Sequence, residues 1–138
     1  EKVAMNSPQV SLATPTQPMY EGTTHWDAAA AEVARRHRIP TLGWSALAGG
    51  YLVTGSRDAL WASEENEARR DRLQEISRRT GLSMAAWAVR YALNVAEHVV
   101  IGTAQTEHLV ELVRGAQPCS AEVARWLRVG GEPPVMKQ

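Results

Sequence analysis

Short apolar segments closed by glycine, proline or small-residue turns alternate with helical segments along this chain. That alternation is the strongest constraint on its fold. Val3 to Asn6 reads as a short buried strand, with Pro8 ending it. Thr41 to Trp44 reads as a second strand, because Pro40 fits only a strand's start or edge. His98-Val99-Val100-Ile101 reads as a third, buried strand ending at Gly102. Helical text separates them, so the order is strand, helix, strand, helix pair, strand, helix, helix. This argues an α/β fold whose strands run parallel through right-handed crossovers.

The helical segments carry their own signals. Thr24 with Asp27 resembles a capping box, and Trp26, Ala30, Val33 and Ala34 form an apolar stripe behind it. Arg35, Arg36, His37 and Arg38 crowd the last turn, where cations suit the helix dipole. That cluster reads as a solvated helix end, with a phosphate site as the alternative. Asn66 to Thr80 is a charged helix with Leu73 and Ile76 as its thin apolar face. Glu65 with Arg69, and Glu75 with Arg79, are spaced for ion pairs, and Gly81 fits the position just past the end.

Ser83 caps the next helix, in which Met84, Trp87, Ala88, Tyr91, Ala92 and Val95 make the strongest amphipathic stripe of the chain, read as core. A helix from Thr106 to Ala116 is expected to bury Leu109, Leu112 and Val113. A last one, capped by Ser120, carries Val123, Trp126 and Leu127 and stops at Gly130-Gly131. Residues 132–138 are expected as a mobile tail beyond a domain of residues 1–131. The stretches 11–22 and 45–63 read as loops.

Composition narrows the function. At 138 residues, with 44% hydrophobic content, 22% charged and a formal net charge of zero, the chain has the makings of one globular domain. It lacks the basic excess of a nucleic-acid coat and any apolar run of about 18 residues that would span a membrane. No basic segment followed by an apolar core marks a signal peptide, and a cytoplasmic chain is expected. The single cysteine, Cys119, excludes an intrachain disulfide. It reads as a buried structural thiol, with a reactive thiolate as the alternative. His25, His37, His98 and His108 are scattered without ligand spacing, so no metal is expected. There is no phosphate-binding P-loop, no G-x-G-x-x-G, no H-E-x-x-H and no G-x-S-x-G.

Two strand-end loops carry the chemistry, because parallel folds bind ligands at the C-terminal ends of their strands. In Trp44 to Leu52, Trp44 offers a flat apolar face, Ser45 a hydroxyl, and Gly49 and Gly50 backbone N–H groups open to an anion. In Ile101 to Gln105, Gly102 and Thr103 lead into a helix start able to hold phosphate. Together they suggest a planar ring and a phosphate bound at adjacent strand ends.

Gly43-Trp44-Ser45-Ala46-Leu47-Ala48-Gly49-Gly50-Tyr51-Leu52 resembles the seventh-strand motif of aldo-keto reductases. Ala4 to Ala13 looks like the family's sixth-strand segment, Asn66 to Arg70 the start of its seventh helix, and Val100 to Thr103 with Glu107-His108-Leu109 its eighth strand and helix. The resemblance implies the C-terminal portion of a (β/α)8 TIM barrel: about three parallel strands with surrounding helices, a half-barrel. A whole barrel needs about 250 residues. It also implies NADPH as cofactor and carbonyl reduction or alcohol oxidation as the parent activity. Trp44 would stack on the nicotinamide, and Ser7 would sit by the carboxamide. Ser45, Leu47, Gly49 and Gly50 would line the pyrophosphate, Gly102, Thr103 and His108 the 2′-phosphate, and Glu111 the adenine.

The sequence departs from the family at Ala46, where Pro is usual, at Ala104, where Arg or Lys is common, and at Leu112, where Asn is common. Each charge-assisted bond lost at a phosphate costs about 1.5–3 kcal/mol. The family's catalytic Asp, Tyr, Lys and His belong to strands before the sixth. Tyr20, Tyr51 and Tyr91 do not match the catalytic position, and the lysines are Lys2 and Lys137. No catalytic residue is therefore assigned.

The first expectation is a cofactor-binding half that pairs with a missing N-terminal half-barrel or with itself as a homodimer. The alternative is a truncated non-redox descendant, a dimeric small-molecule binding or cyclising protein in a biosynthetic pathway. A regulatory, NADPH-sensing module is a third. Neither nucleic acid nor membrane is expected as a partner.

Overall fold

Three parallel segments form the sheet of the computed structural model, which describes residues 3–23, 26 and 28–136. Leu42–Gly43 (β1) lies in the middle. On one side it pairs with His98–Val99 (β2), Leu42 opposite His98 and Gly43 opposite Val99. The His98 N–H donates to the Thr41 carbonyl at 3.0 Å and the Val100 N–H to that of Gly43 at 2.8 Å. On the other side runs segment 6–10, bridged in parallel at Asn6–Thr41 and Gln9–Trp44. There the N–H groups of Asn6, Leu42, Trp44 and Val10 donate in turn to the carbonyls of Pro40, Asn6, Pro8 and Trp44, at 2.9–3.1 Å.

One rung of this ladder lacks its backbone donor. The N–H that should reach the Leu42 carbonyl belongs to position 8, a proline. The Ser7 hydroxyl takes its place, donating to that carbonyl at 3.0 Å. The first strand therefore does not lie at Val3 to Asn6 as expected. Val3 and Met5 are 58% and 46% exposed, and pairing starts at Asn6 and runs through Pro8 to Val10. Pro8 fails to end the strand because a side chain supplies the missing donor.

The back of the sheet rests on α4 (Met84–Val95). Val10, Ala92 and Ala96 pack there with Val99. Gly43 has no room for more, since a Cβ on it would stand 3.0 Å from the Val10 Cβ and 3.3 Å from that of Ala96. Alternation puts Leu42, Trp44, His98 and Val100 on the front, where His98 is exposed and Val100 is 50% exposed. The expected burial of the whole 98–101 strand is thus corrected: only its alternate residues are covered.

The helices follow the capping signals. α1 (Ala28–Arg36) ends with Arg35 paired to Glu32 at 2.7 Å on the surface. Ala34 is buried, but Val33, expected in the apolar stripe, is exposed. The Thr24–Asp27 pair and His25 lie outside the described residues. A single helical turn, α2 (Tyr51–Thr54), closed by Gly55 at φ 66°, interrupts the expected loop. α3 (Glu64–Thr80) starts two residues earlier than Asn66 because the Ser63 hydroxyl accepts from the Asn66 N–H at 3.2 Å, and Gly81 closes it at φ 71°. Both expected ion pairs form, Glu65–Arg69 and Glu75–Arg79. α4 is capped by Ser83, and α6 (Ala121–Val129) by Ser120.

Trp87, Ala88 and Tyr91 of α4 join Leu12, Leu52, Trp61, Leu73, Ile76, Trp126 and Leu127 in the main core. The opposite face of α4 meets α5 (Thr106–Val113) through Ala85, Val89 and Leu112. α5 covers α4 from outside, so Leu109 and Val113, expected to be buried, are exposed and only Leu112 is inserted. In the stretch expected as a tail, the Pro134 carbonyl accepts from Arg79 Nη2 at 2.8 Å and Met136 packs against the core. Among the described residues no helix is long and apolar enough to cross a membrane.

Candidate functional site

The backbone turns sharply after Trp44. Ser45 and Ala48 adopt left-handed φ values of 64° and 52°, and Gly49 and Gly50 follow at 61° and 92°. For Ser45 and Ala48 such geometry costs about 1–2 kcal/mol each, and strained backbone of this kind concentrates at functional sites. The turn holds itself together: the Ala48 N–H donates to the Ser45 carbonyl at 2.8 Å and the Gly50 N–H to that of Leu47 at 3.0 Å. Ala46, buried, anchors it to the sheet, its carbonyl accepting from the Ser11 hydroxyl at 3.3 Å.

Two cavities meet at Trp44. One, of 340 Å³, is lined by Trp44, Ser45, Leu47, Gly49, Gly50 and Gly102, together with Ala46, Val100, Ile101 and Leu112. The two strand ends singled out in the sequence are therefore one site, because β1 and β2 are neighbours. Gly50 and Gly102 face open space, where an added Cβ would meet nothing within 4 Å. The other cavity, of 460 Å³, is lined by Ser7, Gln9, Thr16, Met19, Trp26 and Trp44, among others. Trp44 is fixed between the two: its Nε1 donates to the Ser7 carbonyl at 3.1 Å, and the Tyr20 ring lies tilted against it at 5.9 Å.

The remaining sequence candidates sit apart. Thr103 Oγ1 accepts from the Gln105 N–H at 3.1 Å. His108 is exposed on α5 and Glu111 half-buried, and neither of them nor Thr103 lines the cavity that holds Gly102. Gln9 was missed. It is buried, lines the larger of these two cavities, and neither the nitrogen nor the oxygen of its side-chain amide has a hydrogen-bond partner among the described residues. The available signal was its spacing of two from Ser7, which puts both on one strand face.

A family model described as the aldo/keto reductase family matches residues 2–125. The chain belongs to the aldo/keto reductase family. Its α/β sheet of parallel segments accords with that family's TIM-barrel fold. Among solved structures it is similar to a thermostable aldo-keto reductase, Tm1743, crystallised with the inhibitor epalrestat. Identity is 17% and the TM-score 0.57, over 75% of this chain and 34% of that one. The chain thus spans about a third of that reductase. No curated protein matches it.

The site's residues fit the family's NADP(H) in part. A flat indole beside an open second strand end suits a nicotinamide ring, but the Gly50 N–H, expected to be open to an anion, is spent on the Leu47 carbonyl. Neither cavity at Trp44 is lined by an Arg or Lys among the described residues, so neither offers a phosphate a fixed cation.

Cys119 stands outside this site. It is buried between α4 and α6, and burial pushes its thiol from 9.0 up to about 11. The native protein holds this proton where the unfolded chain releases it. The stability from this group is therefore complete below about pH 9 and is lost as pH rises towards 11. Iodoacetamide at pH 8 is expected to label the native chain at least about tenfold more slowly than the urea-unfolded chain, because only the thiolate reacts. Equal rates by intact mass would show an accessible thiol.

Proposed function

We propose that this chain supplies the cofactor side of an NADPH-dependent aldo/keto reductase, a half-barrel completed by an N-terminal half-barrel or by a second copy. The observation that carries the reading is Trp44, fixed by Ser7 between two cavities with the Ser45–Gly50 turn and Gly102 on one side. The Trp44 indole would stack on the nicotinamide. Ser45, Leu47, Gly49 and Gly50 would follow the pyrophosphate, Gly102, Thr103 and His108 the 2′-phosphate, and Glu111 the adenine. When bound, the cofactor supplies the hydride that a carbonyl carbon accepts.

Within this chain, Ser7 orients the indole through its carbonyl, while its hydroxyl is engaged by the Leu42 carbonyl. Proton delivery falls to the partner half. Tyr51 and Tyr91 are buried, and burial pushes both phenols up. No lysine stands among the described residues to lower a phenol pKa. The half-exposed front of the sheet at Val100 supports a partner that covers it, since parallel sheets are ordinarily covered on both faces. A cytoplasmic location is part of this reading.

The absence of a fixed cation among the described residues lining the two cavities at Trp44 favours a second reading: a dimeric non-redox descendant that binds or cyclises a small neutral molecule. Titrating NADPH into the full chain separates the two. The first reading expects saturable loss of tryptophan fluorescence, with affinity weakened about tenfold in Trp44→Ala as a stacking platform is removed. Fluorescence unchanged into the millimolar range sinks it. Turnover of a carbonyl substrate by this chain alone would defeat the need for a partner half.

A further inference from the structure

A third cavity, of 590 Å³, lies between the end of α2, the loop after it and α3. None of its lining residues lines either cavity at Trp44. It flanks the turn that follows the central strand, with Tyr51 directly after Gly50. Its walls present Tyr51, Ser56, Arg57, Glu67, Arg70 and Asp71.

Two of these groups are incomplete. Tyr51 is only 4% exposed, yet its hydroxyl has no hydrogen-bond partner among the described residues. Arg70 Nε is buried and equally unpartnered among those residues. The Arg70 guanidinium is nonetheless held in place. Its Nη2 donates to the Val53 carbonyl at 3.3 Å, and it packs over Gly55 so closely that a Cβ there would stand 2.9 Å from Cζ. A buried donor left unpaired is costly, and a native structure normally supplies it a partner. Burial, then the Glu67 carboxylate, pushes the Tyr51 phenol up, so it remains a donor at neutral pH.

The charges on the wall balance: Arg57 and Arg70 against Glu67 and Asp71. A phosphate would meet two carboxylates, and a polyamine two guanidinium groups. A net-neutral ligand bearing both charges meets neither conflict. The geometry points to a binding site for a small zwitterion of the α-amino acid class. Its carboxylate is held by Arg70 Nε and the Tyr51 hydroxyl, with Arg57 and Ser56 at the mouth, and its ammonium group is held by Glu67 and Asp71. The site is independent of NADPH binding, and its volume lies within the usual range for small-molecule pockets.

The test titrates the full chain with L-alanine, followed by saturation-transfer NMR, beside propionate and ethylammonium, which each keep one charge. L-Alanine is expected to saturate, with the two single-charge probes about tenfold or more weaker. Tyr51→Phe keeps the ring and removes only the orphan hydroxyl. It is expected to weaken L-alanine about tenfold while leaving the thermal midpoint equal or higher. Should that variant fail to fold, Glu67→Gln, on an exposed side chain, carries the test: L-alanine loses affinity and propionate keeps its own. No saturation by L-alanine overturns the proposal. So does propionate binding as tightly as L-alanine, or unchanged L-alanine affinity in a folded Tyr51→Phe or Glu67→Gln.

Discussion

Gly115→Ala is expected to cost about 3 kcal/mol of folding stability, read as a fall of about 10 °C in thermal midpoint for a domain of this size. A Cβ at this position would lie 2.3 Å from the Ala86 carbonyl oxygen and 2.9 Å from the Ala86 C and Cα atoms. All three are backbone atoms of α4, so no side chain can rotate out of the way. α4 cannot retreat either, because it is held by the sheet, α3 and α6 on its other faces. The segment carrying Gly115 must move instead. It is tied to α5 by the Gly115 N–H on the Leu112 carbonyl at 2.9 Å, and to α4 by the Cys119 N–H on the Arg90 carbonyl at 3.3 Å.

Moving it shifts Leu112, which packs on Ala85 and Val89 and also forms a wall of the Trp44 cavity. The variant should therefore weaken whatever binds there as well as the fold. Gly102→Ala is the matched comparison for stability. Its Cβ would meet nothing within 4 Å and its φ lies outside the left-handed region, so a change within about 0.5 kcal/mol is expected. Urea denaturation measures both, and a Gly115→Ala chain as stable as Gly102→Ala would sink the packing argument.

Gly115 shows what pattern reading leaves out. In sequence it falls inside a helix expected to run to Ala116; α5 ends at Val113, and the approach of α4, almost thirty positions earlier in sequence, makes Gly115 irreplaceable. The strands were legible in kind, because apolar runs closed by small residues have few other uses. The first was misplaced because its ladder depends on the Ser7 hydroxyl reaching Leu42, a contact across 35 positions. Amphipathic spacing located α5 but not the width of its buried stripe. That width depends on how many neighbours a helix has, and α5 lies on the outside of α4 with Leu112 alone inserted. The same exposure sets His108 and Glu111 off the cavity. The Trp44 turn and Gly102 came together as read, because adjacent parallel strands place their ends side by side.

Asn66→Ala is expected to destabilise the chain by about 3–4 kcal/mol. In sequence Asn66 is one polar residue near a helix start; in the fold it is fully buried. Its amide uses its whole hydrogen-bonding capacity. Oδ1 accepts from the Thr14 N–H at 2.9 Å and from Arg69 Nη1 at 3.1 Å, while Nδ2 donates to the Thr14 carbonyl at 2.7 Å and that of Trp61 at 2.9 Å. Truncation leaves the Thr14 N–H and two carbonyls without their partner in the interior.

Arg69, also buried, keeps Thr14 Oγ1 at 2.9 Å, the Arg128 carbonyl at 3.2 Å and Glu65, so the damage centres on Thr14. That residue follows the first strand, and the Leu12 carbonyl just before it accepts from Arg128 Nη1 at 2.8 Å. These bonds fix how the chain leaves the sheet after Val10, and so the shape of the larger of the two cavities at Trp44. Glu65→Gln tests the same network from its wet end. Glu65 is 66% exposed at the side chain, and exposed ion pairs contribute about 0–1 kcal/mol. A large loss in Asn66→Ala beside a small one in Glu65→Gln identifies the buried amide as what joins the strand exit to α3. Equal losses would place the effect in the ion pair instead.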